Sequence, residues 1–139
     1  AIEQDATNAI YPSNIGYSYH ALQDYTAGIP YMQTALKLAP ANANYHNLLG
    51  NLVYGNEDYK QSIVHYLDAI KHNPDDQVFH SNISNAYKET GDYTKALEHA
   101  MKALELGRTT ASHYNTIGNL LYWQERYQES IQWYEKAVA

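Results

Sequence analysis

The sequence predicts an all-α fold of stacked antiparallel helix pairs, an α-solenoid, on two observations. The chain repeats itself every 34 residues, a period that suits two helices with their turns. Within each period, the matched columns fall at helical spacing. Ile15, Leu49, Ile83 and Ile117 each precede a small residue, Gly16, Gly50, Ser84 or Gly118. A second helix opens with Tyr25, Tyr59, Tyr93 and Tyr127, continues through the small residues Gly28, Ser62, Ala96 and Ser130, and carries Ala35, Ala69, Ala103 and Ala137 further on. Seven-residue separations on a helix return to nearly the same face, so these columns mark where one helix packs on the next.

Taken in order, residues 1–8 align with residues 103–110 and read as the tail of a preceding repeat. The first copy, residues 9–42, places Pro12 in an opening turn, where its missing N–H is harmless. Pro30 stands six residues after the expected N-cap Asp24, so the second helix of this copy is expected to start late or to kink near residues 26–29, with Gly28 adding freedom. The second copy, residues 43–76, turns at Gly55-Asn56 and restarts at Asp58. The third, residues 77–110, turns at Thr90-Gly91-Asp92, where Gly91 supplies a left-handed stop and Asp92 the next cap. The fourth copy, residues 111–139, ends about five residues short of a full period. With no initiator Met and no polar helix over its last apolar face, the chain is expected to be a piece of a longer array or of a larger protein.

A helix pair of this kind exposes apolar surface on both flanks, and only stacking offsets the entropy of ordering it. Tyr19, Val53, Tyr87 and Leu121, three residues beyond the small column, are expected to fill the space between helices. Composition narrows the partners. With 15 acidic and 9 basic residues, the net charge of −6 opposes nucleic acid or an anionic lipid surface. No apolar run approaches the roughly 18 residues of a membrane span. The absence of cysteine excludes disulfides and thiolate metal sites, and leaves the compartment open with the cytoplasm slightly favoured. Asn82-Ile83-Ser84 matches a glycosylation triplet, but its mid-helix place gives it no weight.

The small, aromatic and alanine columns, with Pro40 and Pro74 closing two copies, resemble the tetratricopeptide repeat family over residues 9–139. That resemblance implies a right-handed superhelix of helix pairs whose first helices line a concave groove. It also implies a non-catalytic adaptor or scaffold that binds an extended peptide or a helix there. The groove face would comprise Ser13, Tyr17 and His20, then Asn47, Asn51 and Tyr54, then Ser81, Asn85 and Lys88, and finally Asn115, Asn119 and Tyr122, with Trp123 alongside. Within each copy these lie at i, i+4 and i+7, in one stripe. Asn51, Asn85 and Asn119 are a full period apart, and a carboxamide can both donate to and accept from the main chain of an extended partner. The alternative is that each Asn bonds within the array. Some family members clamp acidic chaperone tails with Lys and Arg, but here only Lys88 is basic, so such tails are not expected partners.

An enzyme reading would rest on the seven histidines, since there is no cysteine and no nucleophile motif. His46 and His80 share a column, as do His65 and His99, and no His-Glu-x-x-His spacing occurs, so neither catalysis, a metal nor a cofactor is expected. His65 and Asp68 form an i, i+3 pair of the solvated kind. A structural alternative is self-association through Ile131, Tyr134 and Val138 on the last helix, or a segment that holds together a larger protein, although packing of these three residues on a following repeat is the favoured expectation. Within a larger enzyme, the array would select the substrate.

Overall fold

The computed structural model describes residues 8–139. Among the described residues lie eight helices: α1 (Ile10–Ala21), α2 (Tyr25–Leu38), α3 (Ala43–Gly55), α4 (Tyr59–His72), α5 (Gln77–Glu89), α6 (Tyr93–Leu106), α7 (Ala111–Trp123) and α8 (Tyr127–Val138). They fall into two compact units, one up to Pro74 and the other from Asp75 onward. The reading of residues 1–7 as a preceding tail lies outside the described residues.

Side-chain caps set the helix starts. Asp24, Asp58 and Asp92 accept from the backbone N–H groups of Ala27 (3.3 Å), Gln61 (3.2 Å) and Lys95 (3.1 Å). Caps of this kind contribute about 1 kcal/mol each. At the fourth second helix the column holds Arg126, which instead makes a bidentate pair with Glu129 at 2.8 and 2.7 Å. Among first helices, Asn42 caps α3 through Tyr45 N–H (3.2 Å) and Asp76 caps α5 through Val78 N–H (2.8 Å). Asn8, placed by sequence in a preceding tail, occupies the same column and accepts from Ile10 N–H at 2.9 Å.

The late start expected for the second helix of the first copy does not occur. α2 begins at Tyr25 and carries Pro30 inside it. The aspartate cap fixes the first turn as it does in α4 and α6. The bond that Pro30 cannot make belongs to the carbonyl of Thr26, an exposed residue, so water can replace the lost donor.

Every helix pair turns by the same device. Gln23, Glu57, Gly91 and Glu125, again one period apart, all sit in the left-handed region, at φ of 60°, 64°, 82° and 61°. Their N–H groups donate to the carbonyls of His20, Tyr54, Lys88 and Tyr122. The following N–H groups, of Asp24, Asp58, Asp92 and Arg126, reach back to Tyr19, Val53, Tyr87 and Leu121. This paired arrangement is the Schellman stop, which satisfies carbonyls that the helix end would otherwise leave bare.

Within each pair the small column meets whatever stands sixteen residues later. A Cβ placed on Gly50 would lie 2.6 Å from the Tyr66 ring, and one on Gly118 would lie 2.5 Å from the Tyr134 ring. Gly16 faces Met32 in the same way. In the third pair both partners are changed: Ser84 stands opposite Ala100, and its Oγ donates to the Ala96 carbonyl at 2.7 Å. The core of the first unit gathers Met32, Ala35, Leu48, Leu49, Leu52 and Val53, with Tyr25, Ile29, Leu36 and Tyr45 packed on it. In the second unit, Phe79, Ile83, Ala86, Ile117, Leu120 and Leu121 are buried. Of the expected fillers, Val53, Tyr87 and Leu121 are buried, while Tyr19 is half-buried and stacks on Tyr31 at 5.7 Å.

Candidate functional site

Because the stripe residues sit on first helices whose opposite face is spent on packing, their exposure decides what they can do. In the first unit, Ser13 is buried, with its Oγ donating to the Ile10 carbonyl (2.9 Å) and bonded to Tyr45 Oη (3.3 Å). It is therefore held within the array. Tyr17 is 44% exposed, and partial burial, with Tyr45 nearby, pushes its phenol up from the ordinary value. His20 is half-buried, its ring tilted on Tyr25 at 5.9 Å, and half-buried Tyr54 meets Tyr59 edge-on at 5.0 Å. Asn47 is half-buried.

In the second unit, Asn85, Asn115 and Tyr122 are exposed, while Ser81, Lys88 and Asn119 are half-buried. Tyr122 meets Tyr127 edge-on at 5.3 Å, and Trp123 stacks on Tyr93 at 5.6 Å. The one stripe cation, Lys88, lies 3.4 Å from the Glu89 carboxylate.

The three period-spaced asparagines are not equivalent. Tyr66 Oη donates to Asn51 Oδ1 at 2.8 Å, and Tyr134 Oη donates to Asn119 Oδ1 at 2.7 Å. Burial pushes both phenols up, with Tyr54 and Tyr122 adding to the effect, so each hydroxyl stays a donor. Asn85 has Ala100 where the others have tyrosine, and it makes no side-chain hydrogen bond among the described residues. In place of a ring there is a cavity of about 150 Å³. Its floor is Ser84, Ala100 and Ala103, and its walls are Ser81 and Asn85 from α5 with Ser112 and Thr116 from α7. Sequence reasoning missed this cavity, although the column Met32, Tyr66, Ala100, Tyr134 carried its signal.

In the second unit two histidines from the recurring columns pair. His80 Nδ1 and His99 Nδ1 are 3.0 Å apart, and the rings stack at 5.2 Å. Burial, then the His80 ring, lowers the His99 pKa from 6.5 against the opposing pull of Glu98. His65 is also lowered, by burial first, with Asp68 opposing. No group of three metal-ligating side chains occurs among the described residues, and no described helix is long and apolar enough to cross a membrane. On α8, Ile131 is 49% and Val138 86% exposed, but Tyr134 turns inward onto Gly118 and Asn119.

The comparisons with known proteins bear on the family and the fold. Three family models, each described as a tetratricopeptide repeat, match residues 14–80, 65–98 and 110–139. No curated protein matches. Among solved structures, a crystal structure of MamA superposes with a TM-score of 0.92 at 18% identity, over 99% of this chain and 80% of that one. MamA residues 41-end from Desulfovibrio magneticus RS-1 superposes with a TM-score of 0.89 at 17% identity, over 95% of this chain and 75% of that one. Similarities at this level of identity bear on the fold, an all-α repeat solenoid. The chain belongs to the tetratricopeptide repeat family and is a protein-interaction repeat module.

Proposed function

We propose that the chain is a non-catalytic adaptor that holds an extended segment of a partner protein against the exposed stripe of its first helices. The observation that carries this is in the unit from Asp75 onward. There Asn85, Asn115 and Tyr122 stand exposed on α5 and α7, at helical spacing along a helix that buries its other side. Amides that can both donate and accept suit the main chain of an extended peptide, and an exposed ring suits its side chains. The net charge of −6 and the pairing of Lys88 with Glu89 favour a neutral or basic segment over an acidic tail.

The test is to identify the bound segment by cross-linking the full chain to its partner, and then to measure that segment against Asn115→Ala/Tyr122→Ala. Each truncated contact should cost about 0.5 to 1.5 kcal/mol, so binding should weaken roughly 5- to 150-fold with an unchanged melt. Full affinity in the double variant would remove the stripe as the site. Sedimentation over a concentration series separates the other reading, in which the exposed Ile131 and Val138 of α8 join two copies.

A further inference from the structure

We propose that the cavity over Ser84 and Ala100 receives the side chain of a tyrosine from the bound partner. This rests on the adaptor reading and specifies what the partner must present. The second and fourth helix pairs show how such a site is filled: a ring from the second helix lies against glycine, and its hydroxyl donates to the asparagine one residue on. In the third pair the asparagine is retained as Asn85 and the ring is gone, because Ala100 replaces it. The space left is about 150 Å³. A cavity of about 150 Å³ accommodates one benzene-sized ring.

The Cβ of Ser84 excludes an incoming ring from the position that Tyr66 holds over Gly50. Such a ring therefore sits further from α5, in the room that Ala100 leaves, with its hydroxyl turned to Asn85. Ser84 Oγ is already satisfied by the Ala96 carbonyl, so the floor asks for no polar partner. Asn85 and Ser112 are exposed at the mouth, and Asn85 has no competing side-chain bond among the described residues. No Lys or Arg lines the cavity, and its one imidazole, His113, is engaged with Thr110 and Gln77. The site therefore suits a neutral phenol rather than a phosphorylated one, which would need a cation.

The probe is p-cresol, the tyrosine side chain as a free molecule, with toluene as the matched ring lacking the hydroxyl. Each is titrated into the full chain and followed through amide NMR signals. Saturable shifts are expected with p-cresol at Asn85, Ala103 and Thr116, with toluene roughly 3- to 10-fold weaker, the worth of one hydrogen bond. Asn85→Ala should abolish that difference. Ser84→Gly/Ala100→Tyr, which rebuilds the glycine and tyrosine pair of the neighbouring copies, should abolish binding of both probes.

The proposal is overturned by an absence of saturable shifts, by equal binding of the two probes, or by unchanged shifts in a folded rebuilt variant. If the rebuilt variant does not fold, the comparison of the two probes in the unmodified chain and in Asn85→Ala decides alone. A chain that holds its partner but ignores p-cresol loses the tyrosine site and keeps the adaptor reading. One that takes p-cresol while Asn115→Ala/Tyr122→Ala binds its partner fully keeps the cavity and loses the stripe.

Discussion

Replacing Gln23, Glu57 and Glu125 by glycine should stabilise the chain. All three hold the left-handed conformation that Gly91 adopts in the third pair. A residue with a Cβ pays about 1–2 kcal/mol there. Glycine removes that strain, but its greater freedom in the unfolded chain returns about 0.5–1 kcal/mol. The expected net gain is therefore about 0.5–1 kcal/mol per site. The three side chains are exposed and make no hydrogen bond or ion pair among the described residues, so nothing is lost with them. They share no partner, and the gains should sum to roughly 1.5–3 kcal/mol, or about 3–10 °C in Tm. Thermal and urea melts followed by far-ultraviolet circular dichroism measure this. Gln23→Gly is the informative single variant, because it leaves the net charge unchanged. Gly91→Ala is the converse: its Cβ would meet nothing within 4 Å, so any loss is conformational. A neutral triple variant together with a neutral Gly91→Ala would refute the reasoning.

Gly50→Leu should cost about 1–3 kcal/mol by forcing the Tyr66 ring aside, and adding Tyr66→Ala should recover part of it in a denaturant melt. Asn51→Ala and Asn119→Ala should each lower stability by about 1–3 kcal/mol, since a half-buried or buried phenol loses its acceptor, whereas Asn85→Ala should stay within about 0.5 kcal/mol. Stability should also fall on acidification. The His99 pKa is lowered from 6.5 on folding, so in that window the unfolded chain binds the proton more readily. The contribution is complete above 6.5 and is lost as pH drops toward the folded value, and His99→Phe should flatten that part of the Tm-versus-pH curve.

The helical period and the aspartate caps were legible because each recurs in a fixed column that short-range physics reads directly. Gly91 announced its turn, but Gln23, Glu57 and Glu125 did not, because backbone strain held by a repeated hydrogen-bond pattern leaves no trace in residue type. The late start expected from Pro30 failed for the opposite reason. A strong local rule yielded to the Asp24 cap and to the exposure of Thr26. The stripe was legible as a column, but the roles within it were not. Ser13 is inward, and Asn51 and Asn119 are bound to tyrosines on the neighbouring helix. For the asparagines that distinction depends on which side chain stands fifteen residues on, a relation between two columns rather than a property of either.

The match between Gly50 and Tyr66, and between Ser84 and Ala100, also restricts how such arrays diverge. A single substitution toward the other pairing passes through either an overlap, Ser against Tyr, or a void larger than the one over Ser84 and Ala100, Gly against Ala. Each step costs a few kcal/mol out of a marginal total. Both positions lie within one 34-residue period, so duplication of a whole repeat carries the match intact. Recombination between the two positions separates them. Viable crossovers among these copies are therefore expected in the loops between helix pairs, and a shuffled library of the chain should recover its folded members with breakpoints there.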